Sequence, residues 1–345
     1  MTFLEHVSLA PHTSFKIGGP ARFFCIVKTV DELKAAVLFA NSKKVPFFIL
    51  GGGSNILISD KGFAGLVIKM EITGISLKVE RSKKGEENTI VIAGAGESWD
   101  GLVKYAVLKG LGGIENLSLI PGTVGAAPIQ NIGAYGSEVK DAIWWVEVLD
   151  VKLVEITTLS KNKCAFRYRS SIFKDMPGRY IVTRVAFKLS KDAPLNIEYR
   201  DVQEWYRTHA DHPRTIAGVR DAVVAIRTAK LPDLKQWGTA GSFFKNPIIA
   251  ANHYSELKKK YPEMPGFPEA DGRVKVPLGW ILDKVCNAKG LKAGNVSTYE
   301  KQALVLVATP GATAAEVDKL AIQLTDEVNE LTGIVVEREV EYIGV

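Results

Sequence analysis

The spacing of apolar and polar positions in the first third of the chain predicts alternating strand and helix. Residues 22–27 and 47–50 are short apolar runs of the kind that form buried strands. Between them, Thr29 and Glu32 form a capping box, after which apolar residues recur at helical spacing. The second strand leads directly into Gly-Gly-Gly-Ser-Asn at residues 51–55, so we predict a β-α-β unit that opens into a glycine loop.

The middle third combines a helix, several strands and a long loop. Residues 89–93 are predicted to be a strand, and residues 99–107 carry a helical apolar stripe that ends at Gly110. Further strands are predicted at residues 144–150, 152–158 and 180–189. Residues 111–136 are rich in glycine and proline, and a structureless segment of that length inside a compact domain is usually functional.

The last third again mixes strands and helices. The apolar pattern predicts a strand at 241–246, a polar loop at 261–272, a helix at 278–285 and a strand at 303–308. Thr313 and Glu316 form a second capping box, and Gly333 is placed to end the helix that they begin. A final strand starting at residue 334 would carry three carboxylates on one side, those of Glu337, Glu339 and Glu341.

Length and composition indicate a globular protein of more than one domain. At about 150 residues per domain, 345 residues predict two or three domains. Hydrophobic residues are 46% and charged residues 24%, close to the average for globular proteins. No apolar run reaches the ~18 residues that span a bilayer, and residues 1–10 lack the hydrophobic core of a signal peptide. We therefore expect a cytoplasmic protein with no membrane partner.

Cysteine usage argues against disulfides, and the distribution of charge argues against a nucleic-acid partner. Cys25, Cys164 and Cys286 lie far apart and are odd in number, so we expect buried reduced thiols rather than a disulfide framework. The net charge is +6 and the pI is about 9.0. The basic residues are spread out, and the densest cluster, at 258–260, is typical of a solvated helix face. No nucleic-acid partner is expected, whereas an anionic small molecule remains open.

The motifs of several common chemistries are absent from the sequence. The patterns GxxxxGK[ST], GxSxG and HExxH do not occur, and Gly94-Ala95-Gly96 lacks the third glycine of a dinucleotide fingerprint. His209 and His212 could share a helix face, but no further ligands cluster with them. We interpret them as a helix turn that ends before Pro213 and predict no metal site.

Two glycine-rich loops carry the remaining chemical signal. Residues 51–55 follow a strand, and such a loop can be a plain tight turn or a nest of N–H groups for a phosphate. In residues 120–136, small side chains would let a flat ring approach the backbone, and Gln130, Asn131 and Tyr135 offer directed hydrogen bonds. Together the loops suggest a large anionic cofactor between domains. FAD fits, with its pyrophosphate on the first loop and its isoalloxazine on the second.

The chain resembles the UDP-N-acetylenolpyruvoylglucosamine reductases, the flavin enzymes of bacterial cell-wall precursor synthesis. The motifs that carry the resemblance are residues 13–19 (TSFKIGG), 50–55 (LGGGSN), the loop 121–136, 166–174 (FRYRSSIFK), 227–232 (RTAKLP), 240–247 (AGSFFKNP) and 339–344 (EVEYIG). Any one of these motifs is weak evidence, but together they follow this order over almost the whole chain.

The resemblance implies an α+β protein of three domains, with an FAD-binding fold of the vanillyl-alcohol-oxidase type and a C-terminal α+β substrate domain. The expected boundaries are 1–70 and 71–230 for two FAD-binding subdomains, 231–333 for the substrate domain and 334–345 for a C-terminal strand that returns to the active site. The long C-terminal third is similar to the first of the family's two structural forms. That form usually has a tyrosine where this chain has Phe267, so one hydroxyl contact to substrate is expected to be missing.

The resemblance also implies a reaction, in which NADPH reduces FAD and the flavin reduces UDP-N-acetylglucosamine enolpyruvate to UDP-N-acetylmuramate. In that reaction Arg169 is expected to clamp the substrate carboxylate, since a guanidinium is planar, bidentate and always charged. Ser242 matches the proton donor, with Lys245 expected to support its environment, and Glu339 matches the carboxylate that orients or stabilises the intermediate. Without a separate nicotinamide-binding motif, we expect NADPH and substrate to use one flavin face in turn.

Further residues are expected to bind the two ligands. The expected FAD contacts are Gly51, Gly52, Gly53, Ser54, Asn55, Pro121, Gly122, Gly125, Ala126, Gln130, Asn131, Gly133, Ala134, Tyr135 and Arg227. The expected substrate contacts are Tyr199, Lys230, Asn246, Lys275 and Gln302.

Two other functions remain open from the residues alone. Another FAD-linked oxidoreductase of the same cofactor fold would keep both glycine loops but would have no need of Ser242 with Arg169 and Glu339. A non-enzymatic basic binding protein would be colourless after attempts to load flavin. The chain is expected to be a monomer.

Overall fold

The computed structural model describes residues 1–81 and 87–344. Residues 82–86, within the second predicted domain, and Val345, at the end of the last, lie outside the described residues. The strands are β1 (Leu4–Ser8), β2 (Pro20–Val27), β3 (Phe47–Leu50), β4 (Ile56–Ile58), β5 (Phe63–Met70), β6 (Ile75–Arg81), β7 (Glu87–Gly94), β8 (Gly133–Ala134), β9 (Ser137–Glu138), β10 (Ile143–Asp150), β11 (Glu155–Ser160), β12 (Tyr180–Leu189), β13 (Ile248–Ile249), β14 (Phe267–Pro268), β15 (Val274–Lys275), β16 (Lys292–Ala293), β17 (Val296–Tyr299), β18 (Gln302–Ala308) and β19 (Glu341–Ile343). The helices are α1 (Val30–Lys43), α2 (Trp99–Leu108), α3 (Val139–Ala142), α4 (Ile172–Asp175), α5 (Arg200–Thr208), α6 (Ile216–Lys230), α7 (Ala251–Lys260), α8 (Leu278–Lys284) and α9 (Ala314–Thr332).

The chain forms two compact units, and it passes between them several times. The first unit consists of Met1–Val7, Ala21–Gly52 and Ala64–Ala229, and the second of Ser8–Pro20, Gly53–Phe63 and Lys230–Val345. The glycine loop is therefore shared, because Gly52 belongs to the first unit and Gly53 to the second. The three-domain boundaries expected from the resemblance stay a prediction.

The first unit contains two sheets over a common apolar core. A four-stranded sheet has the order β1-β2-β5-β3, and β3 runs parallel to β5. The predicted succession of strand, helix and strand is confirmed by β2, α1 and β3. A five-stranded antiparallel sheet has the order β11-β10-β12-β7-β6. Trp99 at the start of α2 is buried, with its ring 5.8 Å from that of Phe187 on β12 and its indole N–H donating to the Leu117 carbonyl at 2.8 Å.

The second unit combines the C-terminal third of the chain with two short segments from its first 63 residues. Strands β16, β17 and β18 form one small sheet, and β13, β15 and β14 form another. The apolar side of α9 packs into the core of this unit, and both predicted ends of the helix are confirmed: Thr313 and Glu316 form the capping box, and Gly333 has φ +67°. The last strand, β19, lies parallel to β4, with Glu341 opposite Ile56.

Three strand predictions were wrong in their bounds. Strand β11 begins at Glu155 rather than residue 152, because the chain turns after Asp150, whose carbonyl accepts the N–H of Val154 at 2.8 Å. Residues 241–246 make isolated bridges rather than a continuous strand. The final strand starts at Glu341, because Arg338 first pairs with Phe244 and the chain bends before β19.

The prediction for the three cysteines is confirmed. The three cysteines are free and buried, and burial raises the pKa of each thiol to about 12. The helix turn predicted to carry His209 and His212 was wrong in its bounds, because α5 ends at Thr208. His209 stacks on Trp205 with ring centroids 4.2 Å apart, and His212 Nε2 lies 3.4 Å from Asp221 Oδ2. Within residues 1–81 and 87–344, no helix is both long and apolar enough to cross a membrane.

Candidate active site

The start of the first predicted cofactor loop, at Gly51 and Gly52, packs closely against the second loop within the first unit. A Cβ placed on Gly52 would lie 2.7 Å from the Cα of Gly122, and one on Gly51 would lie 2.6 Å from Thr123 Oγ1. Both distances are too short for a side chain. The glycines at 51 and 52 therefore allow the first loop to lie directly on the second, which brings the two predicted cofactor motifs together.

Lys69 on β5 fixes the orientation of a peptide group in the first loop. Its ammonium donates a hydrogen bond to the carbonyl of Gly51, and burial lowers the pKa of Lys69. In a trans peptide the N–H points opposite to the C=O. With the Gly51 carbonyl turned toward Lys69, the N–H of Gly52 faces the other way, as a phosphate nest requires. Sequence reasoning missed Lys69, since nothing in an apolar strand marks its lysine as a partner of the loop.

The first half of the loop 121–136 is held by contacts that only small residues permit. Gly125 donates its N–H to the carbonyl of Ala95 at 2.9 Å, and a Cβ on it would lie 2.6 Å from the Ala95 Cβ. Pro121 and Ala126 are exposed, and Gly122 and Gln130 are partly exposed. This half of the loop therefore presents a surface of small side chains, the cradle that a flat ring requires.

Asn131 shapes the loop from within. Its side chain is fully buried and its φ is +45°. Its Nδ2 donates to the carbonyl of Arg167 at 3.1 Å, and its Oδ1 accepts the N–H of Lys140 at 3.1 Å. These bonds tie the loop to two other segments of the unit. Asn131 therefore has a structural role, and its contact with the cofactor stays a prediction.

A tight hairpin carries Tyr135 at the end of the loop. Strands β8 and β9 pair across Tyr135 and Gly136, which have φ +48° and +79°, the sign that a type I′ turn requires at both positions. Asn116 donates to the carbonyl of Tyr135 at 3.1 Å and Asn196 to that of Gly136 at 2.9 Å. The ring of Tyr135 lies edge-on to that of Tyr199, with centroids 5.4 Å apart. The turn thus places an expected FAD contact beside an expected substrate contact.

Arg227 on α6 has unsatisfied donor capacity next to this hairpin. Its guanidinium is hydrogen-bonded to the hydroxyl of Tyr135, and burial lowers the pKa of the arginine while also raising that of the tyrosine. In the described part of the chain, the buried Nε of Arg227 has no hydrogen-bond partner. A buried N–H without an acceptor is rare in folded proteins. The small-residue cradle and this donor together fit an anionic, flat cofactor such as FAD.

An ion pair that sequence reasoning missed anchors residues 118–119, just before the loop 121–136. Arg220, seven residues before Arg227 on α6, forms a double hydrogen bond to Asp100 on α2 at 2.7 and 2.9 Å. It also donates to the hydroxyl of Ser118 at 2.9 Å, and Asp100 accepts the N–H of Leu119 at 2.6 Å. The seven-residue spacing of the two arginines on one helix face was the available signal.

Arg169 is presented by a two-residue turn. Arg167 and Ser170 exchange backbone hydrogen bonds at 2.9 and 3.1 Å, and Arg169 between them has φ +51°. Its Nη2 donates to the carbonyl of Gly133 at 2.8 Å. Arg167 of the same motif pairs with Asp175 at 2.6 Å and is exposed. The turn therefore separates the two arginines and directs Arg169 toward the loop that carries the expected FAD contacts.

In the second unit, Ser242 and Glu339 lie on neighbouring segments. Ser242 pairs with Val305 of β18, and the next residue, Phe243, donates its N–H to Leu304 at 2.9 Å. The carbonyl of Phe243 accepts the N–H of Glu339 at 2.9 Å. Because Phe243 is buried, the exposed side chain of Ser242 points away from the core. The structure thus brings together two of the three expected catalytic residues within one unit.

The structure separates the three glutamates that the sequence alone leaves equivalent. Glu337 is exposed and pairs with Lys245 at 2.8 Å, so the ammonium expected to support Ser242 is engaged by a carboxylate. Glu341 begins β19. Glu339 lies in the bend between them, beside the residue that follows Ser242, which is consistent with the role expected from the motif.

Two expected substrate contacts meet at the first turn of α8. Asn246 Oδ1 accepts the N–H of Leu278 at 3.0 Å. Gln302 Oε1 accepts the N–H of Leu304 at 3.3 Å, and a Cβ on Gly279 would lie 2.7 Å from that oxygen. Both amides are thus placed by backbone contacts within the second unit.

The remaining expected contacts lie at several places. Lys275 pairs with Glu269 at 2.5 Å and is opposite Phe267 in the pairing of β14 with β15, where Phe267 is exposed. Lys230 is exposed at the end of α6. In residues 1–81 and 87–344, no group of three or more His, Cys, Asp or Glu side chains could hold a metal ion.

Comparison with known proteins gives matches to both halves of the chain. The family model for an FAD binding domain matches residues 21–159. The model described as UDP-N-acetylenolpyruvoylglucosamine reductase, C-terminal domain, matches residues 233–343. Curated relatives of that name include proteins from Chromobacterium violaceum, 41% identical over 98% of both chains, and Pseudomonas aeruginosa, 38% identical over 97% of both chains.

Solved structures support the same fold. The crystal structure of UDP-N-acetylenolpyruvylglucosamine reductase from Thermus caldophilus covers 98% of this chain and 97% of its own, with a TM-score of 0.68 and 26% identity. A VAO-type flavoprotein from Myceliophthora thermophila C1 has a TM-score of 0.52 and 12% identity, with 94% of this chain and 73% of its own covered. The predicted α+β class, with a VAO-type cofactor fold and a separate C-terminal domain, is confirmed.

Proposed function

The chain belongs to the family of UDP-N-acetylenolpyruvoylglucosamine reductases, and on that basis we propose that it reduces UDP-N-acetylglucosamine enolpyruvate to UDP-N-acetylmuramate. It is a flavin-dependent oxidoreductase with FAD as cofactor. The observation that carries the proposal is similarity over almost the full length of both chains to enzymes of that name. The product is a precursor of peptidoglycan, so the activity would serve cell-wall growth, cell shape and division.

The substrate carboxylate is assigned to Arg169. When bound and reduced by NADPH, the flavin would supply a hydride for the enolpyruvyl carbon, which leaves negative charge on the adjacent carbon and the carboxylate. A guanidinium offers two parallel N–H donors to such a group. The bond from Arg169 to the Gly133 carbonyl holds the guanidinium before substrate arrives, so little rotamer freedom remains to be lost on binding.

Completion of the reaction is assigned to Ser242 and Glu339. The carbanion needs a proton at the carbon next to the carboxylate, and the Ser242 hydroxyl is the proposed donor. A serine hydroxyl is a weak acid, so the proposal requires that bound ligands exclude water around it. Glu339, on the neighbouring segment, is proposed to orient the intermediate in its enol form.

Substrate anchoring is assigned to the five residues expected from the resemblance. The diphosphate requires cations and hydrogen-bond donors, and we propose that these come from Tyr199, Lys230, Asn246, Lys275 and Gln302. The positions of Asn246 and Gln302 at the first turn of α8 support a shared role.

We further propose that NADPH is the reductant and that the chain acts as a cytoplasmic monomer. Nucleic acid and membranes are not proposed partners, since the densest basic cluster is engaged locally: Lys258 and Lys260 donate to the carbonyls of Met264 and Leu331 at 2.8 and 3.2 Å. NADPH and substrate would use the flavin in turn, which predicts parallel initial-rate lines.

The proposed function is tested with the purified flavin-loaded protein. We expect NADPH consumption that depends on the enolpyruvyl sugar nucleotide and yields one UDP-N-acetylmuramate per NADPH. Flavin that an alcohol reduces and oxygen reoxidises, but that the enolpyruvyl nucleotide does not reoxidise, would contradict the proposal and favour another enzyme of the same cofactor fold.

A further inference from the structure

Asn55 holds the segment around Glu339 at two points. Its side-chain Nδ2 donates to the carbonyl of Glu339 at 3.2 Å. Its own backbone carbonyl accepts the N–H of Glu341, also at 3.2 Å. The parallel pairing of β19 with β4 begins here, with Glu341 opposite Ile56. The Asn55 side chain therefore extends the strand pairing to the peptide group that follows Glu339.

Both peptide groups that flank Glu339 are fixed as a result. The N–H of Glu339 donates to the carbonyl of Phe243 at 2.9 Å, and its C=O accepts from Asn55. Phe243 follows Ser242 directly, and its ring is buried. The direction in which a side chain leaves the backbone follows from the two flanking peptide planes. The hydrogen bond from Asn55 thus helps to determine where the carboxylate of Glu339 lies relative to Ser242.

The same end of the glycine loop also reaches the segment before Ser242. The carbonyl of Gly53 accepts the N–H of Ser14 at 3.0 Å, and Ser14 Oγ donates to the carbonyl of Thr239 at 2.6 Å. Thr239 in turn accepts the N–H of Gly241 on its hydroxyl at 3.2 Å. Through Ser14, Gly53 contacts one catalytic segment, while Asn55 contacts the other.

We propose that Asn55 is a positioning residue for Glu339, and that residues 53–55 of the glycine loop set the geometry of substrate reduction as well as contributing to the cofactor site. The inference rests on the proposed function, because it assigns Glu339 to that reaction. An amide is required at this position, since the Glu339 carbonyl needs an N–H donor, which an aspartate at the same distance cannot supply.

The test compares the two half-reactions in flavin-loaded variants. Asn55→Asp removes the donor at constant size, and Asn55→Ala removes the amide without adding a charge. Asn295→Ala is the matched control, because Asn295 Nδ2 also donates to a backbone carbonyl of the second unit, that of Gly311 at 3.4 Å. Anaerobic stopped-flow absorbance follows flavin reduction by NADPH and its reoxidation by the enolpyruvyl nucleotide, and a fluorescence titration gives the Kd for FAD.

For both Asn55 variants we expect reoxidation to slow about 10- to 100-fold, the loss typical of a misplaced catalytic group. Reduction of the bound flavin by NADPH, measured at saturating FAD, should match that of the control. In an Asn55→Ala and Glu339→Gln double variant, reoxidation should be as slow as in Glu339→Gln alone, because Asn55 acts only through Glu339.

Three results would overturn the inference. Weaker FAD binding with equal slowing of both half-reactions would make Asn55 a cofactor contact alone. If the double variant slows reoxidation by the product of the two single effects, Asn55 and Glu339 act independently. Unchanged reoxidation in both Asn55 variants would show that the contact does not matter. The proposed function fails in a different way, if wild-type flavin is reduced by NADPH but never reoxidised by the enolpyruvyl nucleotide.

Discussion

The backbone N–H of Glu339 donates a hydrogen bond to the carbonyl of Phe243 at 2.9 Å. Because Phe243 follows Ser242, this bond places the proposed proton donor and the proposed stabilising carboxylate on adjacent segments of one unit. Phe243 is only 1% exposed, so neither segment can shift without moving core side chains. The positions of Ser242 and Glu339, which the sequence gives only as motif matches, are thus defined relative to each other.

Replacement of Arg169 by lysine should separate charge from geometry. Arg169→Lys keeps the positive charge but loses the fork of parallel N–H donors. We expect the KM for the enolpyruvyl nucleotide to rise and kcat/KM to fall about 10- to 100-fold, the equivalent of about 1.4–2.8 kcal/mol. Reduction of the flavin by NADPH should stay unchanged. Arg167→Lys, in the same turn but in an exposed ion pair, is the control and should behave as wild type.

The unsatisfied Nε of Arg227 predicts a contribution to flavin binding. A hydrogen bond to a charged group contributes about 1.5–3 kcal/mol. Arg227→Met should therefore weaken FAD binding about 10- to 100-fold, as measured by fluorescence titration of the apoprotein. Arg207→Met, which removes an exposed arginine paired with Glu204 at 2.5 Å, should leave the Kd unchanged. Equal FAD affinity in the two variants would show that the buried Nε does not face the cofactor.

The contact between the two glycine loops predicts a strong effect of a single methyl group. A Cβ at Gly52 would lie 2.7 Å from the Cα of Gly122, and overpacking of this kind costs about 1–3 kcal/mol. Gly52→Ala should lower both the urea midpoint of the apoprotein and its FAD content after purification. In Gly101→Ala on α2, a Cβ would be 3.2 Å from the side chain of Ser98, and this variant should keep both properties.

The ion pair of Asp100 with Arg220 predicts a specific loss of stability in acid. Burial opposes ionisation of Asp100, but hydrogen bonds from Arg220 and Leu119, with the charges of Arg220 and Arg227, outweigh it and lower the pKa of the carboxyl. A group with a lowered folded pKa stabilises the protein above its ordinary pKa of about 4, and that stabilisation is lost as the pH falls through the folded value.

Asp100→Asn should therefore lower the free energy of unfolding at pH 7 and make its decline below pH ~4 shallower. Urea titrations at a series of pH values measure both effects. Asp211→Asn, at an exposed position, is the comparison variant. A decline as steep in Asp100→Asn as in the wild type would mean that other carboxylates account for the acid sensitivity.

Local elements were predictable because their signals lie within a few residues. The capping box at Thr313 and the left-handed Gly333 define α9 without reference to the rest of the fold. The strand before the glycine loop follows from a short apolar run, and it appears as β3, in which Leu50 is buried and the other three residues are partly buried. The flavin cofactor and the class of reaction were predictable in the same way, since each motif is a short run of residue types at fixed spacing.

Contacts between distant segments were not predictable from patterns. The glycine-loop motif suggested a ligand contact for Asn55, and the polar side chain of Asn131 suggested one there. Both amides donate instead to backbone carbonyls of other segments, those of Glu339 and Arg167. The same limit explains the misplaced final strand, because its start depends on a bridge between Arg338 and Phe244. Such bonds exist only once the fold has brought the segments together.

The most direct test of the account is the anaerobic reoxidation of reduced flavin in Ser242→Ala. If Ser242 delivers the proton, NADPH should bleach the flavin absorbance as fast as in the wild type, because that step does not use the hydroxyl. Recovery of the absorbance on adding the enolpyruvyl nucleotide should be slower by about 10²- to 10⁴-fold, the usual contribution of general acid catalysis. Ser255→Ala, on the exposed side of α7, is the control and should recover at the wild-type rate.

Recovery in Ser242→Ala at the wild-type rate, or an equal slowing of bleaching and recovery, would contradict the assignment of the serine as proton donor.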